Sequence, residues 1–255
     1  MTPMIKTLTG AAAAALLMLA PPVSADEFSA PQKSEIEHII RDYLVSHPEV
    51  LQEAITELEK RQAAADLEKT KAAVTNNSET LFNSSRQVVL GNPGGDVTMV
   101  EFFDYNCGFC KRAMADMLDL LKNDPKLRII LKEFPVLGPG SVEAAKVAVA
   151  VRMQDKNGKK YLDFHQKLLG GRGQADKARA LAVAKDVGFD MKRVEADMDS
   201  EKAKASLEES LKLGETLGLN GTPSYVVGSD VVVGAVGLDA LRGKVSTARC
   251  GKVVC

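Results

Sequence analysis

Two cysteines flank Gly108-Phe109 where the apolar run Val97-Thr98-Met99-Val100-Glu101-Phe102-Phe103 gives way to an amphipathic segment beginning at Lys111. The run reads as a buried strand and the segment as a helix, so Cys107 falls at a helix start with Cys110 one turn inward. Unpaired backbone N–H groups and the helix dipole favour thiolate over thiol at such a position. A second thiol so close can resolve any mixed disulfide formed by the first. The pattern predicts a reactive dithiol, with Cys107 as nucleophile and Cys110 as resolving thiol. A structural disulfide and half of a metal site are the competing readings. Lys111 stands where a c-type haem motif needs histidine, and a four-cysteine zinc site would have to recruit the distant C-terminal pair.

Residues 1–25 read as a cleaved signal peptide: Lys6, an apolar stretch from Leu8 to Leu19, and the small-residue site Val23-Ser24-Ala25. A soluble protein of the periplasm or the cell exterior is expected. In that oxidising compartment Cys250 and Cys255 can close a short loop and staple the tail, with regulatory or intermolecular pairing as the alternative. The formal net charge of −1 offers no electrostatic case for nucleic acid or an anionic membrane.

From Ser34 to about Val74 the chain reads as helix, interrupted at His47-Pro48. Leu44, Leu51, Leu58, Ala65 and Ala72 recur every seven residues, with Ile55 and Gln62 between them, a weak heptad stripe. Such a polar helix needs a second surface, and self-association through an arm of residues 26–75 is favoured over packing on its own domain. Residues 76–86 read as a linker. From 87 to 255 the pattern is α/β: strands at Gln87–Leu90, Val97–Asp104 and Leu127–Glu133, helices from about 141 to 217, strands at Ser224–Val227 and Val231–Val236, then a helix. That order implies a thioredoxin-like fold with an inserted helical domain, preceded by an N-terminal helical arm.

Glu101 interrupts an apolar strand six residues before Cys107. Buried there, its carboxyl would titrate high and could exchange protons with Cys110; the alternative is a strand residue reaching a polar edge. Lys132 is either its charge partner or a solvated lysine. Met114 and Met117 read as core rather than copper ligands, and His165 as a packing residue of the insertion. Phe109 and Tyr105 are candidates for an apolar rim around the dithiol.

Glu101-Phe102-Phe103-Asp104-Tyr105-Asn106-Cys107-Gly108-Phe109-Cys110, the helical insertion and Gly221-Thr222-Pro223 together resemble the DsbA family of thiol-disulfide oxidoreductases, over roughly residues 87–248. The arm, with His47-Pro48-Glu49-Val50-Leu51, resembles the ScsC-like branch. The resemblance implies that Thr222-Pro223 is a cis bond beside the cysteines, that Gly108, Phe109, Thr222 and Pro223 meet substrate, and that an acid belongs at Glu101. It further implies oligomerisation through the arm, trimer before dimer, and isomerase activity. Gly108-Phe109 lacks the histidine of the strongest oxidants, and Thr222 likewise matches the isomerases. The expected function is periplasmic disulfide isomerase or reductase, with misfolded or reduced secreted proteins as clients, a membrane redox partner, and neither cofactor nor metal. A dithiol oxidase, and a chaperone or copper-handling binding protein, are the alternatives.

Overall fold

The computed structural model describes residues 28–155 and 157–255, so the expected signal peptide lies outside the described residues. The chain divides into two units, residues 1–60 and 61–255. In the first, helix α1 (Ala30–Ser46) starts where the Gln32 side chain accepts the Ser29 backbone N–H at 2.9 Å. It ends at His47, whose ring stacks on Tyr43 with centroids 4.6 Å apart. Pro48 cannot donate the hydrogen bond that would continue α1, and α2 (Glu49–Asn76) begins after it. Ile39, Ile40, Tyr43, Leu51, Ile55 and Leu58 are all exposed, so the apolar stripe of this unit is uncovered.

The second unit begins inside α2. Val74 is buried in one cluster with Leu81 of α3 (Ser78–Phe82), beneath Val100, Phe102 and Ile130. Residues 76–86, expected as a linker, therefore hold a packed helix, and the end of the expected arm belongs to the sheet domain. Burying Leu81 contributes about 2 kcal/mol, enough to override the loop-forming tendency of the surrounding asparagines and serines.

Five strands follow: β1 (Val88–Gly91), β2 (Val97–Phe103), β3 (Leu127–Glu133), β4 (Ser224–Val227) and β5 (Asp230–Val233). They form one sheet in the order β1-β3-β2-β4-β5, in which β2 and β3 are parallel and the other pairs antiparallel. Helix α4 (Gly108–Asn123) crosses from β2 to β3. The insertion comprises α5 (Pro139–Gln154), α6 (Lys159–Gly170), α7 (Lys177–Val187), α8 (Met191–Asp197) and α9 (Glu201–Thr216), and α10 (Leu238–Cys250) closes the domain. The helices of the insertion are punctuated by side-chain caps: Asp176, Asp190 and Ser200 accept the N–H groups of Arg179, Arg193 and Ala203 at 2.9, 3.2 and 3.3 Å.

Side chains alternate across the sheet. Met99, Phe103, Ile129 and Leu131 share a core with Met117 and Leu120 of α4 and with α5 and α6, while Val100, Phe102 and Ile130 pack with Leu213 and Leu217 on the opposite face. A Cβ at Gly214 would overlap the Phe134 ring, so only glycine lets α9 approach this closely. Among the described residues no helix is long and apolar enough to cross a membrane.

Candidate active site

The expected dithiol sits at the junction where β2 passes into α4. Cys107 is the N-cap of α4 in extended conformation, and its Sγ accepts the Cys110 N–H at 3.3 Å. The same sulfur lies 3.1 Å from the Thr222 carbonyl oxygen, to which its thiol donates. Thr222-Pro223 is cis, and the Pro223 carbonyl accepts the Gly234 N–H at 2.8 Å beside β5. Both cysteines are free thiols. Cys107, at the helix start as expected, is only 6% exposed, with the Thr222 segment lying against it. Cys110 is fully buried, and burial pushes its thiol far above the usual range, with Cys107 and Glu101 adding to the effect. Gly108 and Phe109 are exposed, and the Arg112 guanidinium lies 4.3 Å over the Phe109 ring.

Glu101 is buried in β2, opposite Leu131 of β3 and Tyr225 of β4. Burial raises its carboxyl to about 8, and the negative charge of Asp116 adds to the rise. Its Oε2 has no hydrogen-bond partner. Burial and the Glu101 charge in turn push the Tyr225 hydroxyl up. Lys132 is neither the partner of Glu101 nor solvated. It pairs with Phe102 in the sheet register, so its side chain leaves by the other face, where it is buried. There Nζ donates to the Thr80 carbonyl at 2.9 Å and stands 3.8 Å from Glu209, while burial lowers it to about 8.

The loop before Cys107 is held by two side chains for which no role was expected. Asp104 accepts four hydrogen bonds: Asn106 N–H at 2.8 Å and Ser141 Oγ at 2.7 Å on Oδ1, and the Val136 and Leu137 N–H groups, both at 2.9 Å, on Oδ2. The Asn106 amide exchanges hydrogen bonds with the Ala175 backbone at 2.7 and 2.9 Å and donates to Ser141 Oγ at 3.0 Å. Together they tie β2, the start of α5 and the start of α7 to the cysteine loop. Apart from the Asn106 N–H, their partners lie 32 to 69 residues away, and no spacing in the sequence reports them. Ser141→Ala removes two hydrogen bonds, the one donated to Asp104 and the one accepted from Asn106, and should destabilise the protein by about 2 kcal/mol in urea unfolding.

Tyr105 is not part of an apolar rim. It is 5% exposed, and its hydroxyl lies 3.2 Å from Tyr161 Oη, 3.4 Å from Glu133 Oε1 and 3.4 Å from His165 Nδ1. Tyr161 Oη donates to Glu133 at 2.7 Å. Burial raises Glu133 to about 8 and lowers His165 to about 3, so both are neutral in this cluster near neutral pH. Cys250 and Cys255 form the expected disulfide, with Cα atoms 6.2 Å apart. Met117 is core, and Met114 packs against it from a half-buried position. Among the described residues no group of three or more His, Cys, Asp or Glu side chains is placed to hold a metal ion.

Two family profiles match: the DSBA-like thioredoxin domain over residues 98–246, and the Copper resistance protein ScsC N-terminal domain over residues 32–65. A solved thioredoxin-like oxidoreductase from Silicibacter pomeroyi is 44% identical, with a TM-score of 0.63 over 67% of this chain and 96% of that one. Proteus mirabilis ScsC in a transitional conformation is 28% identical, with a TM-score of 0.64 over 88% and 98%. Among curated relatives, Disulfide bond formation protein D of Bacillus subtilis is 24% identical over 65% of this chain and 78% of its own length. The chain spans 25% of the length of two sodium/proton antiporters that it also matches, from Salinispora arenicola and Salinispora tropica. Matched over more than half its length by the first of these profiles, the chain belongs to the DSBA-like thioredoxin domain family.

Proposed function

We propose that the protein carries out thiol–disulfide exchange on secreted protein clients in the periplasm, acting mainly as isomerase and reductase. The observation that carries this reading is the seat of Cys107 Sγ, between the Cys110 N–H and the Thr222 carbonyl, with a buried second thiol behind it. The Cys107 thiolate attacks one sulfur of a client disulfide; a bond forms to Cys107 and the other client sulfur leaves as thiolate. A client thiolate then attacks the mixed disulfide and restores reduced Cys107, which completes an isomerisation. Alternatively Cys110 loses its proton and attacks, releasing a reduced client and leaving a Cys107–Cys110 disulfide that a membrane redox partner must reduce. Glu101 is the proposed proton carrier for Cys110, whose own burial otherwise holds it protonated. Gly108, Phe109, Thr222 and Pro223 are the proposed client contacts. The exchange proceeds on sulfur and needs no metal or organic cofactor.

The exposed stripe of Ile39, Ile40, Tyr43, Leu51, Ile55 and Leu58 supports self-association of the arm, as a trimer or a dimer. An assembly of this kind presents several dithiols to one misfolded client. Deleting residues 26–60, which spares Val74 and the sheet domain, should give a monomer in light scattering. It should also refold scrambled ribonuclease several-fold more slowly than the full chain, both pre-reduced. A full chain that is itself monomeric contradicts the assembly. The name of the Bacillus relative favours a second reading, net oxidation of clients. Faster oxidation of reduced ribonuclease by the pre-oxidised protein than rescue of the scrambled form by the reduced protein would select it.

A further inference from the structure

A cleft of about 510 Å³ opens beside edge strand β1, lined by neither Cys107 nor Cys110. That volume falls within the range of roughly 300–1,000 Å³ typical of small-molecule sites. Three cations line it, Arg152, Arg193 and Lys202, against the two carboxylates of Asp155 and Asp197. Asp155 is already engaged: its oxygens accept the Asn157 and Tyr161 N–H groups at 3.2 and 2.7 Å. Arg193 and Lys202 have no side-chain ion pair or hydrogen bond among the described residues. Arg152 gives NH1 to the Ser85 carbonyl at 3.0 Å, while its Nε is buried without an acceptor. Gln87, also on the lining, keeps a buried Oε1 without a donor. The lining thus carries one more cationic than anionic side chain, and two of its cations, Arg193 and Lys202, are exposed.

We propose that this cleft binds a small organic oxyanion, a carboxylate or phosphate compound that also carries a hydroxyl or amine donor. Arg193 and Lys202 supply the counter-charge of such a group, and the planar Arg152 guanidinium and the Gln87 amide, both on the lining, would orient it once it is seated. The ligand would bridge the segment that follows α3 to the far end of the insertion.

The test is calorimetric titration of the full chain with citrate and, separately, with glycerol 2-phosphate, each against sodium chloride of matched ionic strength. Saturable binding of either anion is expected, with amide shifts at Ser85–Val89 in nuclear magnetic resonance. The Arg193→Ala/Lys202→Ala double variant alters only exposed side chains and should keep its melting temperature. It should weaken binding about tenfold or more. Arg152→Lys keeps the charge but loses the fork and should also bind more weakly. Heats no different from sodium chloride for both anions, or unchanged affinity in the double variant, would overturn the proposal.

Discussion

Cys107→Ser abolishes refolding of scrambled ribonuclease, while Cys110→Ser accumulates a client mixed disulfide instead of turning over by the reductive route. The asymmetry follows from the geometry. Only Cys107 caps α4, accepts the Cys110 N–H and borders the Thr222 segment, whereas Cys110 is fully buried one turn inward. A serine at 107 keeps the cap, since its oxygen can accept the same N–H, so the fold should survive the loss of activity. That separation is measurable: urea unfolding of Cys107→Ser should fall within about 1 kcal/mol of the parent, and activity should drop to background. Equal loss on replacing Cys110 in an isomerisation assay that needs no net reduction would argue against Cys107 as the attacking sulfur.

Glu101→Gln changes the pH dependence of stability by about 3 kcal/mol between pH 5 and pH 7.5. The unfolded carboxyl ionises near its ordinary value of 4.5, whereas burial holds the folded group protonated up to about 8. Between those values the native state binds the extra proton, so the Glu101 contribution becomes steadily more unfavourable as pH rises. It stops changing above about 8. Glutamine cannot titrate. The stability of the parent minus that of the variant should therefore decline through this window, whatever constant offset the buried amide introduces. Glu133 titrates in the same sense, and His165 in the opposite sense below 6.5, but both are present in the two proteins and cancel in the difference. A flat difference would place Glu101 in contact with water and remove it as proton carrier. Loss of the Cys110-dependent reductive step, with mixed-disulfide formation retained, is the expected kinetic counterpart.

The strands carrying the site were legible because they are continuous apolar runs bounded by turn residues. Leu127–Glu133 and Ser224–Val227 lie within their expected bounds, and inside the expected helical stretch Gly158, Gly171–Gly173 and Gly188 all fall between helices. The pause between α8 and α9 carries no such signal, since it contains neither glycine nor proline and depends on the Ser200 cap. Helix α3 is silent in the sequence for a different reason. Its five residues have no periodicity to read, and what orders them is the burial of Leu81 against a sheet distant in sequence.

Within the site, the cysteines and the cis bond at Thr222-Pro223 were legible, but the surroundings of their neighbours were not. Whether Lys132 meets Glu101 depends on strand register: 101 pairs with 131, which sends 132 to the opposite face. Tyr105 reads as an exposed aromatic until Tyr161, Glu133 and His165 are brought around its hydroxyl by α6 and the end of β3. Asp104 and Asn106 look like ordinary strand-end polar residues. Their importance lies in hydrogen bonds to Val136, Leu137, Ser141 and Ala175, contacts that exist only once the insertion has docked.

The central claim is that one sulfur exchanges with client disulfides. Mass spectrometry of pre-reduced Cys110→Ser protein quenched with acid during incubation with scrambled ribonuclease tests it most directly. The prediction is a client peptide joined through a disulfide to the peptide containing Cys107. Adducts confined to Cys250 or Cys255, or no adduct while ribonuclease activity still returns, would contradict it.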